Sequence, residues 1–427
     1  MSRHPCPFAR QARAAVLALI LCLVANAWAG GQPPPAAEYA VVVAPARVTA
    51  AQVRYDGDAL SGWAATSAAE LDLLARQGRP APSHLVSPLE RAERRVAGHP
   101  TRFRPLADGL NARAAEGYRL VTVAKPEFPF VPRNLVALMA RTPGDARPVG
   151  VRHEVVGSFL AWQVEARINE LAAQGYRVAG VTLAADPLFG REYAFEAVMA
   201  RDPADGDPPS TYRVVRTGLR DGDWRTLERA GREGFRVLDI LWRPDLTTAA
   251  RGDLTFLLER RGAGAGPLVY TLKWENSTGK LERALNEFGA NGHRAVIAWA
   301  ARDFLNALLV VPAQAPPPRP AQYEVDGDPL GLPAISSLSG RLVDWARFKG
   351  EQVAIYEKGH RASYDVVAEP LVDRPTDEAM TMLDRPDVET LLGRLNRKGT
   401  EGFETFRATY RQEAPGRERL EVFLTKP

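Results

Sequence analysis

The sequence predicts an α+β protein built from tandem strand-helix-strand-strand repeats, each a helix packed on a three-stranded sheet. Three observations predict it. A glycine followed by an aromatic residue closes a helical pattern at Gly117, Gly175 and Gly234, and again at Gly292 and Gly402, where His293 replaces the aromatic in the fourth copy. The first four of these glycines stand 58, 59 and 58 residues apart, a period that signals a repeat architecture. Runs rich in β-branched and aromatic residues flank each helical pattern on both sides, as strands do.

The chain opens on Arg3, Arg10 and Arg13 with no acid, continues through an apolar run from Ala14 to Ala25, and reaches Ala27, Trp28 and Ala29 before Gly30. That order reads as a secretory signal peptide over residues 1–29, cleaved between Ala29 and Gly30. The apolar run is shorter than the roughly 18 to 20 residues a spanning helix needs, and no later stretch is apolar enough for a span. Both cysteines, Cys6 and Cys22, lie inside the leader, so the mature chain would hold no disulfide and no thiolate. Without the leader arginines the balance is 52 basic against 51 acidic residues. Such a balance gives no ground for nucleic-acid binding.

Repeat 1 spans 30–141. Its first strand is EYAVVV at 38–43, and a long insertion at about 44–104 separates that strand from its helix. Repeat 2 covers 151–201, repeat 3 covers 211–260 and repeat 4 covers 268–311, opening on HEVV, TYRVV and VYTLKW. A proline-rich linker fills 312–321. Next, 322–361 reads as a degenerate repeat, in which RLVDWARFKGEQVAIYEK would supply helix, glycine and strand around Gly350. The last repeat, 362–427, opens on SYDVV and carries a shorter insertion, DRPTDEAMTMLDRPD.

Within each helix the side chains fall into register with the glycine. Seven residues before it stand Leu110, Ile168, Leu227, Leu285 and Leu395; eleven before stand Leu106, Val164, Leu281 and Leu391, with Asp223 the exception. Those offsets share one helical face. Three before it the residue is always small: Ala114, Ala172, Gly231, Gly289 and Gly399, which lets the last turn approach a sheet closely. The terminal glycine suits a left-handed backbone just past the helix. The strand after each glycine (YRLVTV, YRVAGVTL, FRVLDILW, HRAVIAWA) and a third run (LVALMAR, YAFEAVMAR, LTFLLER, LNALLVV, LEVFLTK) complete the unit. The third strand should lie antiparallel between the other two.

The phrases INELAAQGYRV at 168–178 and ALNEFGANGHRAV at 284–296 resemble the bacterial family called domain of unknown function 4177, whose units end in a similar LNELGxEGWELV phrase. The resemblance covers about 50 residues per copy and implies the fold only, since that family has no assigned activity. Where it has glutamate after the aromatic, this chain has Arg119, Arg177, Arg236 and Arg294.

Residues that carry chemistry are sparse. The five histidines after the leader (His84, His99, His153, His293 and His360) form no metal-ligand spacing, and neither a nucleophile elbow nor a phosphate loop is present. The expectation is therefore an exported, non-catalytic protein without metal or cofactor, binding or scaffolding in the cell envelope, with another protein or an envelope polymer as partner. The four arginines could hold an anionic group or stand as solvent-facing strand residues paired with nearby acids. Trp63, in the insertion, is a candidate anchor. A periplasmic small-ligand binder is the first alternative, and an enzyme using carboxylates gathered by folding the last.

Overall fold

The computed structural model describes residues 37–45 and, outside several loop segments, 104–426. The leader, its junction at Ala29 and Gly30, and the first-repeat insertion with Trp63 lie outside the described residues. Six units follow one another, as the tandem-repeat reading predicts.

Unit one comprises β1 (Glu38–Pro45), α1 (Arg104–Ala115), β2 (Arg119–Val123), a two-residue β3 (Lys125–Pro126) and β4 (Asn134–Arg141). Unit two runs β5 (Arg152–Ser158), α2 (Ala161–Ala173), β6 (Arg177–Ala185), β7 (Tyr193–Arg201). Unit three runs β8 (Ser210–Gly218), α3 (Arg225–Arg232), β9 (Arg236–Pro244), β10 (Gly252–Arg261). Unit four runs β11 (Leu268–Glu275), α4 (Thr278–Ala290), β12 (Arg294–Ala301), β13 (Phe304–Pro312). Unit five has β14 (Tyr323–Asp328), β15 (Gly340–Phe348) and β16 (Glu351–Lys358). Unit six has β17 (Ser363–Pro375), β18 (Met382–Pro386), α5 (Val388–Thr400), β19 (Glu404–Ala414) and β20 (Arg417–Lys426). In every sheet the third strand lies antiparallel between the first and second.

The helices end as their sequence requires. Gly117, Gly175, Gly234, Gly292 and Gly402 all have φ between 82° and 93°. The next N–H folds back to a carbonyl of the last turn, as Tyr176 does to Leu171 and His293 to Phe288, both at 3.1 Å. Leu281 and Leu285 are fully buried, as are Leu391 and Leu395.

The small residue three before the glycine makes its close approach to a neighbouring unit. It faces the first strand of the next unit, not its own sheet. A Cβ on Gly289 would lie 2.3 Å from the Ala321 carbonyl oxygen, and one on Gly399 2.1 Å from that of Ala37. Each helix therefore covers the free edge of the following unit: α1 packs on β5, α2 on β8, α3 on β11, α4 on β14, and α5 on β1. The last contact joins the end of the chain to its beginning. The second strands meet in the same order, β2 against β6, then β9, β12 and β15, with β19 against β2, and an Arg407–Asp344 ion pair links β19 to β15. The six units form a closed ring.

Closure explains the continuous apolar reading of the third strands. In β4, Leu135, Ala137 and Met139 pack with Leu106 and Leu110 of α1. The alternate residues Val136 and Leu138 pack with Leu391 and Leu395 of α5. A strand buried on both faces has no polar alternation to show.

Unit five corrects the sequence reading. Within the 322–361 segment, 340–348 is a strand, not a helix: Asp344, Ala346 and Phe348 are buried with a period of two. Gly350 falls outside the described residues, between β15 and β16, and the segment that precedes it is strand. Only 11 residues separate β14 from β15, against 18 between β11 and β12, too few for a three-turn helix with its connections. The last insertion also differs from a plain loop: part of it pairs as β18 with the extended end of β17.

Leu285→Ala should lower stability by about 2 to 5 kcal/mol, since it empties a fully buried site. A urea midpoint unchanged from that of the parent protein would contradict the packing described.

Candidate functional site

The polar residues that recur in the repeat converge on the seams between units. The residue after the buried helix leucine or isoleucine is asparagine in four helices: Asn111, Asn169, Asn286 and Asn396. Its side-chain amide pairs with the backbone of the next first strand. Tyr323 N–H donates to Asn286 Oδ1 at 2.7 Å, and Asn286 Nδ2 donates to the Tyr323 carbonyl at 3.0 Å. Asn169 does the same with Tyr212, and Asn111 with His153. Asn396 accepts from Tyr39 N–H at 2.7 Å. One turn earlier, Glu165 accepts from Val214 N–H and Glu282 from Val325 N–H. Burial pushes the Glu165 carboxyl up, and the Val214 N–H opposes it.

A tyrosine from the same first strand reaches back across the seam. Tyr270 Oη donates to the Phe235 carbonyl at 2.8 Å and accepts from Val237 N–H at 2.9 Å. Tyr39, Tyr212, Tyr323 and Tyr364 accept in the same way from Thr405, Val178, Ala295 and Leu342. Each of these five donors directly precedes a residue that bulges out of its strand: Leu238, Phe406, Ala179, Val296 and Val343. The bulge frees a backbone N–H from the ladder, and the phenol takes it up. Burial raises the phenol of Tyr270 to about 12, so it keeps its proton at neutral pH.

The four arginines do not gather into one site. Three of them serve their own seams. Arg119 pairs with Asp202 at 2.6 Å, Arg177 donates to the Pro208 carbonyl at 3.3 Å, and Arg294 pairs with Glu357 and donates to the Arg319 carbonyl at 2.8 Å. Arg236 is exposed, and its charge opposes the effect of burial on the Tyr270 phenol. The aromatics beside them are core. Tyr118 and Phe235 are buried, with Arg141 over one ring at 4.4 Å and Arg213 over the other at 4.4 Å.

Several buried carboxylates are held by cations or hydroxyls. Glu357 meets Arg294 and Arg341; Glu259 meets Arg261, Ser210 and Tyr212; Glu421 meets Arg419; Asp344 meets Arg407 and accepts the Ala298 N–H. Such pairs fix seams and strand edges. Among the described residues no group of three or more His, Cys, Asp or Glu side chains is placed to hold a metal ion, and no helix is long and apolar enough to cross a membrane.

Three comparisons, with protein-family models, with curated proteins and with solved structures, find no match for this chain.

The asparagine and tyrosine roles were not read from the sequence, although their signal was present. Asparagine follows the helix leucine or isoleucine in four copies, and tyrosine sits at one place in five of the six first strands. Side-chain pairing across units has no local signature beyond that recurrence.

Asn286→Ala should cost about 1 to 3 kcal/mol, because it strands a part-buried N–H and C=O of Tyr323. Arg119→Ala, whose ion pair is exposed, should stay within about 0.5 kcal/mol of the parent. Equal losses in urea denaturation would contradict this assignment of seam roles.

Proposed function

We propose that this protein is an exported, non-catalytic binding or scaffolding protein of the cell envelope, whose partner is another protein or an envelope polymer. The recurring polar residues are occupied in holding the ring together, so the repeat supplies a frame and its exceptions supply recognition. One observation carries the reading. The two insertions into the repeat belong to neighbouring units, on either side of the seam that closes the ring. β18, part of the unit-six insertion, packs against β4. The first residue of β4, Asn134, pairs with Pro45, where the chain leaves the sheet for the unit-one insertion. Trp63 and the charged residues of that insertion offer an anchor and a polar rim.

The test uses the mature chain and a variant whose residues 48–100 are replaced by a short Gly/Ser linker. Pull-downs from envelope extract should retain a partner with the mature chain and lose it with the variant, while circular dichroism and thermal melting show the variant still folded. Retention of every partner by the folded variant would make the insertion a spacer. Turnover of a substrate by the mature chain would overturn the non-catalytic reading.

A further inference from the structure

One seam departs from the tyrosine rule. Between units one and two the place of the tyrosine is taken by His153, opposite Ala200 in β7 and held through its backbone by Asn111. His153 is 1% exposed, and neither Nδ1 nor Nε2 has a hydrogen-bond partner. An unpaired neutral imidazole is already costly in such a place, and an imidazolium far more so. The tyrosines at the other five seams carry no charge anywhere in the acid range.

The surroundings offer the cation no compensation. On α1, Ala107 and Ala114 stand one turn on either side of Asn111, so that Ala107 fills the place of Glu165 and Glu282 in other units. Among the described side chains of α1 the charged groups are Asp108, which is exposed, and Arg113, which is paired with Glu116 in solvent. Arg119 at the start of β2 is paired with Asp202 beyond the end of β7. Tyr118 donates to Glu38, itself held by Arg141. On the strands of unit two, Arg152 and Glu154 are exposed neighbours, while Arg201 pairs opposite Arg152 and Glu196 opposite Gly157. Burial is the only cause of the change in His153 basicity.

We propose that the seam between units one and two is the acid-labile joint of the ring: protonation of His153 releases β5 from unit one and opens the ring there, while the tyrosine seams stay closed. Opening would uncover the inner face of α1, the helix directly following the unit-one insertion.

The direction follows from linkage. Burial lowers the imidazole from 6.5 to about 4, so the closed seam takes up a proton less readily than the open one. Closure is fully favoured above about pH 6.5 and loses roughly tenfold in its equilibrium for each pH unit below that, down to about pH 4. The whole window amounts to roughly 300-fold. The Arg119–Asp202 pair crosses the same seam but stays charged through that window, because the guanidinium holds the Asp202 carboxyl below its usual 3.8.

Hydrogen exchange of the mature chain, followed by mass spectrometry from pH 7 to pH 4.5 and corrected for the intrinsic rate, tests the proposal. Protection of β5 and α1 should fall about tenfold per pH unit below 6.5, while β8 and β11 keep theirs. His153→Tyr and His153→Phe should both give flat profiles, and the phenylalanine variant suffices if the added hydroxyl does not fit. A flat profile in the parent protein would overturn the proposal. So would an unchanged acid response in His153→Phe, or a parallel loss of protection at every seam.

Discussion

The structure depends on how the free edge of a three-stranded sheet is satisfied. Each unit places its third strand in the middle, so its first strand is left with one row of unpaired N–H and C=O groups. Such an edge invites pairing with any other strand. In five of the six units the helix of the preceding unit covers it, and in four of those an asparagine amide takes up the pairing that a neighbouring strand would have offered. The tyrosine hydroxyl completes the exchange in the opposite direction at the bulge. A unit therefore cannot satisfy its own edge, and an open row of units would leave one edge bare. Closing α5 onto β1 removes it.

The same constraint accounts for the residues that make the repeat visible. The small residue in the last helical turn is small because the carbonyl of the next unit lies where a Cβ would stand. The arginine after the aromatic reaches an acid or a carbonyl of the next unit at three of its four positions. Recurrence in this chain is a property of seams.

Departures from the rule show which parts of it are interchangeable. Unit three has Glu228 where other helices have asparagine, yet Gly231 and Tyr270 keep that seam close. Between units five and six the described residues include no covering helix. Tyr356, Tyr364, Phe406 and Phe423 form a chain of ring contacts there, beside the Arg407–Asp344 pair. Aromatic contacts and a part-buried ion pair thus stand in for helix packing. His153 is the exception that keeps the backbone pairing and loses the hydroxyl bridge.

The amino-acid pattern alone was enough for the unit: its strand-helix-strand-strand order, the leucine face, the glycine with positive φ and the middle place of the third strand. These are local or follow from one helix covering one sheet, so periodicity and glycine stereochemistry suffice to read them. RLVDWARF was misread as a helix because its apolar residues fit either period over so short a span, and the short connection from β14 was the better guide. Packing between units, by contrast, set the closure of the ring and turned the asparagines, tyrosines and arginines toward a neighbour. It also decided that His153 stands where a tyrosine is the rule. Those facts depend on partners some 30 to 366 residues away in the chain, and no local pattern records which surface a polar side chain will meet once the ring has closed.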